Sequence, residues 1–321
     1  MKKSEGTQLT HLAVFTGIWS DVSVLDFSKL NLRFIKFNSP EFTEIIHNTL
    51  SNPEHFEDFR EQINNDNSNP DSLQVLAPID FRKVVPENIL FKVRNMLRLL
   101  FPSRVTLSYL QKYSLEDGDI RLQMQTDYSI KPIVYEDQYY NYLTIYDHEI
   151  KSINAFITIF MERFDSINYV KPTLNAYLSS FFQNFHTMEY LDLCIGLESL
   201  VKARSELKYR MRRNIAVLLA PNVEFAENIY HNIGKIYNLR SAIVHSGSYE
   251  EEKVLEYLPY LRCLISRIIT EVISHNIPSL DELNFILTSK GFGYGKTISE
   301  GYTLYKLSNK VYSKALLRLL D

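Results

Sequence analysis

The spacing of apolar residues changes period near residue 130, and this change limits the possible folds more than any other feature of the chain. Upstream, apolar residues step by two, as a half-buried strand requires. Val22 and Val24, then Leu30, Leu32 and Phe34, follow that rule, as do Arg104–Tyr109 and Ile120–Thr126. The last two are separated by the turn-forming Glu116-Asp-Gly-Asp. Between these alternations, Pro86–Leu100 reads as a helix with Pro86 near its first turn and Ile89, Val93, Met96, Leu97 and Leu100 on one side. Residues 64–71 form a polar loop rich in Asn and Asp. The upstream part is therefore a mixed α/β domain, set at residues 1–130.

Downstream the period is three to four. The spacing predicts helices over Tyr142–Arg163, Thr173–Phe185 and Thr187–Ala203, the last turning Leu193, Leu197, Leu200 and Val201 inward. Pro221 and Asn222 break the chain after Ile215–Leu219. A further helix runs from Glu224 to about Val244 on Ile229, Ile233, Ile236, Leu239 and Ile243. Another, Glu251–Ser274, carries Leu255, Leu258, Leu261, Ile265, Ile268 and Val272. Helices joined by short connections make a bundle, set at residues 131–277, with a helical extension at 278–321 that includes Leu280–Lys290 and Leu304–Leu320. The fold class is thus α+β, a mixed domain followed by an all-α bundle.

Composition removes several function classes. A net charge of -3 gives no overall attraction to nucleic acid, so any RNA site needs local clustering of cations. The start of the chain turns polar after Lys2 and Lys3, and no apolar stretch is long enough to span a membrane, so a cytoplasmic protein is expected. Cys194 and Cys263 fall on apolar helix faces and are expected to be reduced core residues; two thiols without a Cys-x-x-Cys do not make a metal site. No metal or other cofactor is expected. With only 10 glycines, the one Gly-rich segment, Gly291–Thr297, fails as a phosphate loop because Lys290 stands where a glycine is needed.

One pair of residues suggests chemistry. Arg240 and His245 lie five apart near a predicted helix end, an offset of about 140° around a continuous helix. They can converge on one groove only if the helix stops near His245. Ser246-Gly247-Ser248 supplies such a stop, with Gly247 suited to a left-handed cap. Cleavage of RNA needs a group that takes the 2′-hydroxyl proton and a group that stabilises the phosphorane. Imidazole titrates nearest neutrality, and guanidinium offers phosphate a fixed fork of donors. The same spacing also suits a helix-terminal histidine that merely meets the helix dipole.

The residues around this pair carry a resemblance. Leu191-Asp-Leu-Cys-Ile-Gly-Leu-Glu-Ser-Leu, a basic linker, Arg213-Asn-Ile-Ala-Val-Leu-Leu, and Ile236-Tyr-Asn-Leu-Arg-Ser-Ala-Ile-Val-His-Ser-Gly occur in that order. Together they resemble the Apea-like branch of the HEPN superfamily over about residues 135–277, most closely between Thr187 and Gly247. The resemblance implies a helical bundle that pairs as a homodimer and brings two Arg-x4–6-His motifs into one cleft. It implies a metal-independent endoribonuclease of bacterial toxin, anti-phage or abortive-infection systems. Arg240 would stabilise phosphate and His245 would act as general base or acid. Glu198 matches the family's acidic position and would either orient Arg240 or form a structural ion pair. Ser241 follows the arginine where Asn, Asp or His is common, and can still donate a hydrogen bond. Ser246 stands where Gly often follows the histidine. The alternative is a non-catalytic HEPN protein that binds RNA or a partner, or serves as a sensor subunit of a larger defence complex. In the nuclease reading residues 1–130 would recognise a substrate, a partner or a phage-derived trigger.

Lys202, Arg204, Lys208, Arg210, Arg212 and Arg213 form the densest basic run, read either as an RNA-backbone track with Tyr209 for stacking or as a solvated helix connection. His231, near Lys235, is a partly exposed helix histidine by default, and His47, His55, His148, His186 and His275 lack partners at ligand spacing.

Overall fold

The computed structural model describes residues 8–66, 72–103, 105–116, 119–128, 143–201, 206–220, 222–291, 316 and 318–320. The chain divides into two compact units: Met1–Arg98 with Ser103–Ile150, and Leu99–Pro102 with Lys151–Asp321. In this division the first unit reaches Ile150, and the segment from 278 is grouped with the helices from Lys151 onward.

The first unit holds a five-stranded antiparallel sheet in the order β2-β3-β1-β4-β5. The strands are β1 (Gln8–Thr16), β2 (Leu32–Lys36), β3 (Gln74–Pro78), β4 (Thr106–Glu116) and β5 (Asp119–Asp127). Leu12, Ala13, Val14 and Phe15 of the central β1 are all buried, so both of its faces are covered. A strand covered on both sides shows a continuous apolar run instead of alternation, which is why spacing alone passes over it. Helices α1 (Pro40–Thr49) and α2 (Glu54–Asp66) cover one face, placing Phe42, Ile46, Phe56, Phe59 and Ile63 against Leu12, Val14, Val75, Tyr109 and Tyr113. Ser39 caps α1 by accepting the Phe42 N–H at 3.2 Å, with Pro40 in the first turn. Helix α3 (Glu87–Leu100) lies where its spacing predicts, starting one residue after Pro86. Val22 and Val24 are not in a strand. The Asp21 and Asp26 carboxylates accept the Ser23 and Ser28 N–H groups, each at 2.9 Å, and these local bonds turn the chain there. Leu30 belongs to a short 3-10 turn, and strand geometry begins only at Leu32.

The described part of the second unit is helical: α4 (Ile150–Arg163), α5 (Lys171–Ser180), α6 (His186–Ser199), α7 (Leu207–Leu219), α8 (Val223–His245), α9 (Glu251–Ser274) and α10 (Leu280–Gly291). The helix expected from Tyr142 starts only at Ile150. Leu143 pairs with Ile18 as an isolated bridge, and the buried Glu149 carboxylate accepts the Tyr146 N–H at 3.2 Å, which fixes the turn leading into the helix. Helix α5 closes earlier than Phe185 because the Phe181 and Phe182 N–H groups bond three residues back. Helix α6 ends likewise at Leu200 and Val201. Helix α9 is buried almost all round from Val254 to Ile273, as expected of a helix inside a bundle, but Leu255 is turned outward and Val254 takes its place in the core. Helix α6 packs on α5 and α9, and α7 packs on α8.

Among the described residues of this unit the buried charged side chains are paired. Arg262 meets Glu189 with about 1% of either side chain exposed, and the Arg262 guanidinium lies 4.4 Å from the centre of the Phe181 ring. Arg267 meets Glu271, which also lies 3.2 Å from His275. Near the chain end, Leu320 N–H donates to the buried Asn232 Oδ1 at 3.0 Å while Asn232 Nδ2 donates to the Arg318 carbonyl at 2.9 Å. The helix expected at Leu304–Leu320 falls almost wholly outside the described residues, as does the Gly-rich segment from Phe292 to Thr297.

Candidate functional site

Helix α8 carries the Arg240–His245 segment, and its ends follow from its sequence. Asn222 Oδ1 accepts the Phe225 N–H at 2.9 Å and caps the start. Ile229, Ile233, Ile236 and Leu239 form the predicted buried stripe, while Ile243 is only partly buried. The helix stops where expected. Gly247 adopts a left-handed φ of 65°, its N–H and that of Ser246 both bond to the Ala242 carbonyl, and Ser246 Oγ donates to the same carbonyl at 2.7 Å.

Arg240 leans toward α6. Its Nε lies 3.1 Å from Glu198 Oε1 and its Nη2 donates to Oε2 at 3.3 Å, with the two side chains 22% and 20% exposed. His245 is the last helical residue and is exposed; among the described residues its ring has no hydrogen-bond partner. The five-residue offset thus does what helix geometry dictates, turning the guanidinium to the α6 side and the imidazole to solvent. Within one chain the pair that meets is Arg240 with Glu198. Ser241 is partly buried one residue on.

The basic run is not one surface. Lys202 and Arg204 lie outside the described residues. Lys208, Arg210, Arg212 and Arg213 stand on α7, which begins directly after Glu206 in a left-handed conformation. A helix imposes its own division on them. Arg212 turns inward, its guanidinium 3.7 Å from the centre of the Tyr230 ring and its Nε donating to the Tyr230 carbonyl at 2.9 Å. Lys208 donates to Asn238 Oδ1 at 2.6 Å, and Arg213 donates to Asn214 Oδ1 at 3.3 Å. Arg210 and Tyr209 are exposed. The signal that separates the inward arginine from the outward one is Gly234, whose missing side chain leaves room for Arg212 Nε at 3.0 Å from where a Cβ would stand.

His231 is exposed, and Lys235, one turn on, donates to the Leu320 carbonyl. His47 lies 3.2 Å from Glu57, and His55 Nδ1 is 2.6 Å from Asn52 Nδ2. Cys194 and Cys263 are both buried and free, and burial pushes both thiols up, Cys263 to about 12. Among the described residues no three of His, Cys, Asp or Glu come together as a metal site, and no helix is long and apolar enough to cross a membrane.

Spacing did not single out the start of α6. There Asn184, Phe185, His186 and Thr187 border a recess of about 440 Å³ together with Tyr249, whose hydroxyl lies 2.9 Å from Thr187 Oγ1. No protein-family model matches this chain, and neither does any curated protein or solved structure.

Proposed function

We propose that the helical unit is a HEPN-type bundle acting as a metal-independent endoribonuclease, paired as a homodimer. In this reading His245 removes the 2′-hydroxyl proton, O2′ bonds to the adjacent phosphorus, and the bond to O5′ breaks as a proton passes to the leaving oxygen. The products are a 2′,3′-cyclic phosphate and a 5′-hydroxyl. Arg240 offers the phosphorane its remaining N–H groups while Glu198 fixes the plane of the guanidinium. The observation that carries this reading is the exposed imidazole at the Gly247-capped end of α8, one and a half turns past an arginine held by a carboxylate. Ile195, about one turn before Glu198 on α6, and Val244, about one turn after Arg240 on α8, are 55% and 50% exposed, apolar surface that a second copy of the chain would cover. The first unit then serves to recognise substrate, partner or a phage-derived trigger, in a cytoplasmic defence protein.

The test is cleavage of labelled RNA by purified wild type, Arg240→Ala and His245→Ala in the presence of EDTA. Wild type releases fragments ending in cyclic phosphate, and each variant loses at least about 100-fold in rate. Equal cleavage by all three, or none by wild type on any RNA tried, removes the nuclease reading.

A second reading is favoured by the same ion pair: with Glu198 occupying Arg240, the bundle serves as a non-catalytic RNA-binding or assembly module. Under it, Arg240→Ala lowers the melting temperature and no RNA is cut by any of the three proteins.

A further inference from the structure

The recess at the start of α6 is joined to His245 by a short stretch of chain. Tyr249 is four residues beyond His245, so at most about 14 Å of backbone separates their Cα atoms. The intervening turn is also tied down locally, since the Ser248 N–H bonds to Ser246 Oγ at 3.2 Å. The recess, of about 440 Å³, falls in the size range of small-molecule sites.

Its wall has the chemistry of a base-binding surface. Phe185 leaves 72% of its area in solvent, the second most exposed of the large hydrophobic side chains among the described residues. An aromatic ring placed this way gives up hydrophobic burial and gains a free face for stacking. Asn184 adds an amide that both donates and accepts, as the edge of a base requires. Tyr249, 39% exposed and held by its contact with Thr187, also lines the recess, as does Glu251.

We infer that this recess seats one unpaired RNA base next to the phosphate on which His245 acts, with Phe185 as its stacking platform and Asn184 at its edge. The inference rests on the ribonuclease reading for the position of the scissile phosphate. It makes the preferred substrate single-stranded, because a paired base does not present a free face.

The test is fluorescence anisotropy of the full-length His245→Ala protein with a labelled single-stranded RNA, with the same RNA annealed to its complement, and with a copy containing abasic positions. Phe185→Ala in that background weakens single-strand binding about 5- to 100-fold, Phe185→Trp restores it, and neither changes binding of the duplex. The abasic RNA binds the two Phe185 forms equally. Because Phe185 is exposed, circular dichroism melts of the variants should match the parent. Equal single-strand affinity with Ala or Phe at 185 overturns the inference, even if wild type cleaves RNA. So does a fall in molecular mass by light scattering on Phe185→Ala, which makes the ring part of a contact between copies. Phe185-dependent binding by a protein that cuts no RNA removes the nuclease reading and leaves the base site standing.

Discussion

Glu198 holds Arg240 by both of its oxygens, one 3.1 Å from Nε and the other accepting from Nη2 at 3.3 Å. The carboxylate comes from α6 and the guanidinium from α8, so the orientation of the one fork proposed to meet phosphate depends on a second helix. Replacing Glu198 with Ala frees the fork. If the pair positions a catalytic arginine, cleavage falls about 10- to 100-fold while stability changes by no more than about 1 kcal/mol. An unchanged cleavage rate together with a large drop in melting temperature would mark the pair as structural only.

The Glu189–Arg262 pair is different because neither side chain reaches solvent. Removing one partner strands the other charge in the core. Glu189→Ala should cost about 3–5 kcal/mol, read as a shift in the urea midpoint. A shift below about 1 kcal/mol would show that water reaches Arg262.

Gly234 and Arg212 are coupled. A Cβ at position 234 would meet Arg212 Nε at 3.0 Å and Cζ at 3.1 Å, and that guanidinium is already fixed to Tyr230. Gly234→Ala should therefore destabilise by about 1 kcal/mol or more. In an Arg212→Ala background the obstacle is gone and alanine's better helix propensity makes the same change stabilising by about 1 kcal/mol. Additive effects in this double-mutant cycle would refute the packing.

The two thiols give a pH test. Burial raises both, so each stays protonated in the fold at pH values where an unfolded thiol ionises. A folded value above the unfolded one stabilises below the unfolded value and is lost as pH rises, here from the ordinary thiol range toward about 12 for Cys263. Stability measured against pH should fall less steeply on the alkaline side in Cys263→Ala than in wild type. Ellman's reagent at pH 8 should label neither thiol until denaturant is added. Fast labelling of the native protein would contradict the burial.

Much of the architecture is legible in the order of residues, and the failures have local causes. Helix α9 matched its predicted ends because its apolar run leaves no other period, and α8 ended where Ser246 and Gly247 said it must. The Val22–Val24 alternation misled because two residues do not make a period, and the nearby aspartates turn the chain instead. The central strand β1 was invisible to a search for alternation because both its faces are covered. The start of α4 was set too early because the spacing of apolar residues cannot show that Glu149 reaches back to the Tyr146 backbone.

By itself the sequence determined that a sheet-forming segment precedes a helical one, where α8 and α9 run, that both cysteines are core residues, and that an arginine and a histidine stand five apart at a helix terminus. Periodicity and cap chemistry act over a few residues, so these features need no knowledge of the rest of the chain. Only the tertiary structure decided that Arg240 turns to Glu198 while His245 turns to solvent, that the half-buried Arg212 packs on the Tyr230 ring, and that Phe185 stands exposed at the recess that Tyr249 also lines. Each of those outcomes depends on which helix packs beside which, a relation between residues 18 to 64 positions apart that no local spacing encodes.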